Sequence, residues 1–260
     1  MTVILETKGL KRTFGAVVAA HNINIRIHAG EVMGVIGSNG AGKTTFVNMV
    51  TGYLPPSSGE ILFHGDSIVG LPTREITRKG ICRSFQIPQL FSELTVIENM
   101  RIALTIASEA RPPLLRPAVN RALEDRALAL LDRFGIAGHA HREVGVLAQG
   151  VRKLVDIAMA TVAEPQLLFL DEPTSGVSAD EKMDFMGTLI AALKSTRTAV
   201  LFIEHDMEIV ETFSPRVVAF YEGTILADGP TAVVLANDKV REFVIGQEVH
   251  RTAHVPEGVS

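Results

Sequence analysis

The stretch Gly37-Ser38-Asn39-Gly40-Ala41-Gly42-Lys43-Thr44-Thr45 restricts what this chain can fold into more than any other. It satisfies the spacing GxxxxGK(S/T), which requires a strand before it and a helix after it, and the apolar run Val32-Met33-Gly34-Val35-Ile36 supplies the strand. At average residue usage, on the order of one chain in a hundred of this length would match by accident. The glycines permit a tight turn in which successive N–H groups converge on phosphate oxygens at the positive end of the next helix. Lys43 then reaches the β- and γ-phosphates of a nucleotide, and the Thr44 hydroxyl ligates Mg²⁺. A glycine-rich turn that binds nothing is the alternative, and the Lys-Thr ending argues against it. A dinucleotide fingerprint fits poorly, because the third glycine position holds Thr45.

With 260 residues the chain can bury a large core, as one domain or as a core carrying an inserted subdomain. A net charge of −4 without any basic stripe argues against nucleic acid as a partner. Cys82 is the only cysteine, so no intrachain disulfide can form; a reducing compartment and a small buried apolar role follow. The first residues lack the basic start and apolar stretch of a signal peptide, and every apolar run is too short for a bilayer, which needs about 20 residues. The mean hydropathy of +0.25 instead suits strands buried on both faces of a parallel sheet.

Residues 3–10 and 22–28 read as strands, the second from the alternation of Ile23, Ile25 and Ile27 with Asn24, Arg26 and His28. Phe14 lies between them, either as an aromatic to stack on adenine or as a core side chain beside a turn. A helix opens at Thr44 and runs to Val50, residues 55–59 form a loop, and 60–63 a short strand before a turn at Gly65-Asp66. Residues 81–86 read as another strand ending near Pro88, which makes Gln86 a polar sensor at a strand end or an ordinary polar terminus. Helices follow at 95–110, 118–134 and 152–162, with a proline-rich break at 111–117. This helical stretch has no strand pattern and reads as an insertion into an α/β core.

Residues 166–172 place four apolar side chains before Asp171 and Glu172, a buried strand with carboxylates at its C-terminal edge. Asp171 suits Mg²⁺ or its waters opposite Thr44, and Glu172 a water attacking the γ-phosphate; an acidic turn capping the next helix recedes once the phosphate loop is present. Residues 198–204 form one more buried strand, which delivers His205 to the same edge. A lone histidine is often structural, but imidazole here can bridge a γ-phosphate and a water. Residues 217–221 and 224–227 read as a terminal hairpin, and the end from 247 as loose. The histidines at 139, 141, 250 and 254 lack a supporting ligand set.

The order of phosphate loop, Gln86, helical insertion, Leu-Asp-Glu strand and Ile203-Glu204-His205-Asp206 resembles the ATP-binding subunit of ABC transporters over nearly the whole chain. Arg83-Ser84-Phe85-Gln86, Leu90-Phe91, Leu94-Thr95-Val96-Ile97-Glu98-Asn99 and Phe202-Ile203-Glu204-His205-Asp206-Met207 are similar to the ATPases of branched-chain amino acid uptake systems and their urea and amide relatives. The resemblance implies an α/β P-loop NTPase (RecA-like) core with an N-terminal antiparallel β subdomain and an inserted α-helical subdomain. The core would comprise 1–86 and 160–246, the helical part 87–159, and 247–260 a tail.

It further implies an ATPase using ATP and Mg²⁺ at the cytoplasmic face of the inner membrane, working with permease subunits and, indirectly, a substrate-binding protein. Phe14 would pack on adenine, Glu172 would be the catalytic carboxylate and His205 the switch histidine. Gln86 would link the γ-phosphate and its Mg²⁺ to the membrane subunit, whose coupling helix would dock on the segment from Ile87 onward. One motif departs from the pattern. Relatives carry a Leu-Ser-Gly-Gly-Gln-like signature that touches the partner's γ-phosphate across a head-to-tail dimer, whereas this chain has Leu147-Ala148-Gln149-Gly150-Val151. Leu147, Gly150 and the helix start survive, but the serine hydroxyl is absent, a loss that can cost up to about 10²–10³ in rate. A heterodimer with a paralogous ATPase carrying an intact signature is therefore expected. The rivals are a soluble ABC-type ATPase and a nucleotide-binding regulatory subunit of low turnover.

Overall fold

The computed structural model describes residues 2–84, 88–108 and 121–246; Gln86, the break at 111–117 and the tail from 247 lie outside the described residues. Strands β1 (Val3–Phe14), β2 (Val17–Ile23), β3 (Arg26–His28), β4 (Val32–Gly37), β5 (Ser58–Phe63) and β6 (Asp66–Ser67) occupy the first part, with helix α1 (Lys43–Val50) after β4. Helix α2 (Thr73–Lys79) and β7 (Ile81–Ser84) lead into α3 (Val96–Ala107), α4 (Arg121–Arg133) and α5 (Gln149–Ala160). The remainder alternates: β8 (Leu167–Asp171), α6 (Lys182–Lys194), β9 (Ala199–Ile203), α7 (Met207–Phe213), β10 (Arg216–Tyr221), β11 (Thr224–Pro230) and α8 (Thr231–Leu235).

Among the described residues the strands form two sheets. One is antiparallel, ordered β2-β1-β5-β6 with β3 also on β1; the other runs β11-β10-β4-β9-β8-β7, parallel except for β11 at its edge. Side chains of the second sheet alternate between two hydrophobic cores. Val32, Ile36, Leu168, Leu170, Val200 and Phe202 face the core shared with α3 to α7, while Met33, Val35, Leu167, Phe169, Leu201 and Ile203 face the core shared with α1 and the antiparallel sheet. Burial on both faces is why these strands read as unbroken apolar runs. Helices α3, α4 and α5 pack on one another through Met100, Leu104, Ala127, Leu131, Leu154 and Ala158.

The structure differs from the local expectations at four places. The strand expected at 22–28 is two pieces: the Thr7 N–H donates to Ile25 O while its hydroxyl donates to Ile23 O and accepts from Ile25 N, and there the chain steps from β2 to β3. The helix expected from 152 begins at Gln149, and the one expected from 95 has Thr95 as its N-cap in a reciprocal capping box with Glu98. Phe14 is not a core side chain: it ends β1 and is 48% exposed, with the Arg12 guanidinium 4.6 Å from its ring centre.

Candidate active site

In the parallel sheet β9 lies between β4 and β8, so the C-terminal ends of three adjacent strands meet at one edge. The phosphate loop leaves β4 at Gly37, where a Cβ would sit 2.6 Å from the Phe220 carbonyl oxygen. It closes at Gly42, the residue before α1, whose φ is 102° and where a Cβ would lie 2.7 Å from the Ala19 oxygen. Only glycine fits both positions. Asn39, Gly40, Ala41, Gly42, Lys43, Thr44 and Thr45 then wall a cavity of about 180 Å³ together with Asp171, Glu172, Ile203 and His205.

Lys43 is 6% exposed, and its ammonium donates to the carbonyl oxygens of Gly37 (2.5 Å) and Ser38 (3.0 Å). Burial pushes its pKa below the ordinary lysine value, while Glu172 and Asp171 pull it back up. A desolvated cation on this loop is an environment that a polyanion relieves. Glu172 follows β8 with a φ of 47°, a left-handed backbone that a non-glycine residue keeps only when its surroundings hold it. Its N–H donates to Ile203 O at 3.0 Å, and its carboxylate Oε1 lies 3.3 Å from His205 Nε2. Buried Glu204 accepts from the Thr174 N–H (2.8 Å) and hydroxyl (2.7 Å) and from the His205 N–H (3.3 Å), fastening the loop after Glu172 to the strand end that carries His205. Asp171 is paired with Arg83 of β7 at 2.6 Å, and the same guanidinium donates to Asn48 of α1 at 2.5 Å.

The structure thus brings the loop from Asn39 to Thr45, Asp171, Glu172 and His205 into one cavity, with Gly37 and Ser38 contributing carbonyls to Lys43. Phe14, Leu147 and Gly150 are not among its lining residues. The Leu147 side chain is buried in the core, so its main chain is what that position can offer a ligand; Gly150 lies in the first turn of α5. Arg83, Glu204, Thr174 and Lys153 escaped the sequence reading. The only local signal for Arg83 and Glu204 is a charge within or directly after a run of apolar strand residues, which marks the position as unusual without naming its partner.

The ABC transporter family profile matches residues 20–175. The chain belongs to the ABC transporter family. It is similar to the high-affinity branched-chain amino acid transport ATP-binding protein LivG of Escherichia coli (strain K12), with 37% identity over 94% of this chain and 98% of LivG. BraF of Pseudomonas aeruginosa, described in the same words, is 36% identical over 94% of this chain and 98% of its own. Among solved structures, the ADP conformation of an ATP-binding cassette of an ABC transporter superposes with a TM-score of 0.82 at 29% identity, covering 94% and 98% of the two chains. A nucleotide-free cassette from an ABC transporter gives 0.81 at 28%, covering 93% and 98%. This ABC protein is accordingly an ATPase with a P-loop NTPase core that binds nucleotide. No helix among the described residues is long and apolar enough to cross a membrane.

Proposed function

We propose that the chain is the ATP-hydrolysing subunit of an importer for branched-chain or related amino acids, docked on permease subunits at the cytoplasmic face of the inner membrane and served indirectly by a substrate-binding protein. The names of LivG and BraF support this choice of cargo. The observation that carries the chemistry is the single cavity shared by the phosphate loop, Asp171, Glu172 and His205.

The N–H groups from Asn39 to Thr44 and the Lys43 ammonium cradle the phosphates. Thr44 and Asp171 are hard oxygen donors on one cavity and fit Mg²⁺, which characteristically takes one or two protein ligands beside substrate phosphates. Mg²⁺ there would screen phosphate charge. Glu172 accepts the proton of the attacking water, and His205 holds the Glu172 carboxylate and the γ-phosphate side of the cavity. Phe14 offers adenine an exposed ring backed by Arg12. The roles of Gln86, toward γ-phosphate, Mg²⁺ and permease, rest on the resemblance of its motif.

Residues 87–159 act as the helical subdomain beside a core of 1–86 and 160–246, with 247–260 as a tail. A groove of about 960 Å³, lined by Tyr53, Arg78, Phe91, Ile106, Arg126 and Met159, supports permease docking on this side. In the working dimer the start of α5, with Leu147 to Gly150, addresses the partner's nucleotide. Glu172→Gln is expected to retain ATP binding by titration while phosphate release drops about 10²–10⁴-fold; hydrolysis at the normal rate overturns the assignment. In proteoliposomes with the permeases, a binding protein loaded with leucine, rather than one loaded with urea, should stimulate turnover.

A further inference from the structure

Helix α5 is fastened to the segment that carries the catalytic carboxylate. Lys153, one turn beyond Gly150, is 3% exposed, and its ammonium donates to the main-chain oxygen of Glu172 at 2.8 Å. The carboxylates of Glu204, Glu172, Asp156 and Asp171 all act on it electrostatically, opposing the burial that pushes its pKa down. Nearer the helix start, the Gln149 amide fills the space where a side chain at Gly176 would go, and Gly150 lies against Val177. Three points of α5 therefore engage residues 172–177 of the same chain.

Glu172 needs such support because of its left-handed backbone. Its N–H is held by Ile203 and its carboxylate meets His205, both on the strand end beside it; its carbonyl is held by Lys153, from a helix. We propose that Lys153 is a positioning residue that locks the Glu172 main chain to α5, so the helix start that addresses the partner's nucleotide and the carboxylate that works on this chain's own nucleotide move as one body. The proposal rests on the dimeric ATPase reading above. It gives the two nucleotide sites a physical connection within each subunit: displacing α5 displaces Glu172.

The test uses the complete transporter with Lys153→Met, Lys153→Gln and Lys153→Arg, and Glu172→Gln as reference. Lys153→Met should lower kcat about tenfold to a hundredfold with nucleotide affinity and KM unchanged, and bring the Hill coefficient for ATP toward about 1. Lys153→Arg should recover most of both, and Lys153→Gln, which keeps a donor without the charge, should fall between. Wild-type kcat and cooperativity in Lys153→Met overturn the proposal. So does a parallel loss of Tm, nucleotide affinity and kcat that Lys153→Arg and Lys153→Gln fail to relieve, since that is a packing role. Should Glu172→Gln itself hydrolyse ATP normally, the catalytic reading fails instead, and the two failures are told apart.

Discussion

Arg83 illustrates how one side chain can serve the cavity without lining it. Its guanidinium joins Asp171 at the end of β8 to Asn48 in α1, so the acid strand and the helix behind the phosphate loop are spaced by one rigid fork. Asp171 therefore has two claimants, Arg83 and the Mg²⁺ proposed above. Arg83→Met should destabilise the free protein by about 1–3 kcal/mol, because a half-desolvated carboxylate loses a charged partner. Magnesium nucleotide should raise the Tm of the variant more than that of the wild type, as the cation replaces the lost positive charge. Equal increments in the two proteins would show that Arg83 and the metal do not share Asp171. The sequence made Lys43, Asp171 and His205 legible because each sits at a fixed offset from an apolar run. Arg83, Glu204 and Lys153 depend on partners far along the chain, such as Asp171 for Arg83, and no local period encodes that distance.

At the scale of elements, α5 has a second attachment. Asp156 accepts from the Ser84 hydroxyl at the end of β7 (2.8 Å) and from the Gln89 N–H (3.0 Å), and so grips the chain on either side of Gln86. Burial pushes the Asp156 pKa above its ordinary 3.8, with the two hydrogen bonds and Lys153 acting against the rise. A carboxyl whose folded pKa is raised binds more protons folded than unfolded, so its contribution to stability grows as pH falls through the folded value toward 3.8. The Tm advantage of the wild type over Asp156→Asn should accordingly widen on acidification from neutral pH; an advantage that narrows contradicts the shift. Elements were legible in proportion to their burial. Strands β8 and β9 are covered on both faces, and their apolar runs match their bounds to within a residue at each end, whereas β2 opens with Val17 and Val18, both exposed, and shows no periodicity. Helix α5 starts three residues before the sequence pattern predicts, since Gly150 is a poor helix former and Ala148 offers no cap.

For the whole molecule, Arg216 is the junction of the two sheets: it forks onto Asp228 in β11, pairs with Glu31 ahead of β4 and donates to the Arg26 carbonyl of β3. The assembly beyond one chain turns on Ala148, the N-cap of α5, which has no side-chain oxygen to give a nucleotide across a dimer. The chain alone should hydrolyse ATP slowly, and adding a paralogue with an intact signature should speed it. Ala148→Ser in the chain alone should recover part of a deficit of up to about 10²–10³. Full phosphate release by the unaltered chain in isolation would remove the case for a mixed dimer.

The doubly covered sheet has a last consequence. Where one face of a strand is wet, water forbids a slip of one residue, because oil would be turned outward. Here both faces are oily, so that policing is absent, and alignment falls to shape: the ring of Phe46 wedged against Phe169 (6.5 Å) and Phe220 (5.8 Å) keys the strands to α1. The edge that carries the cavity is held in place by the bulk of rings packed directly beneath it, and shaving one of them would blunt the motor without touching its cutting surface.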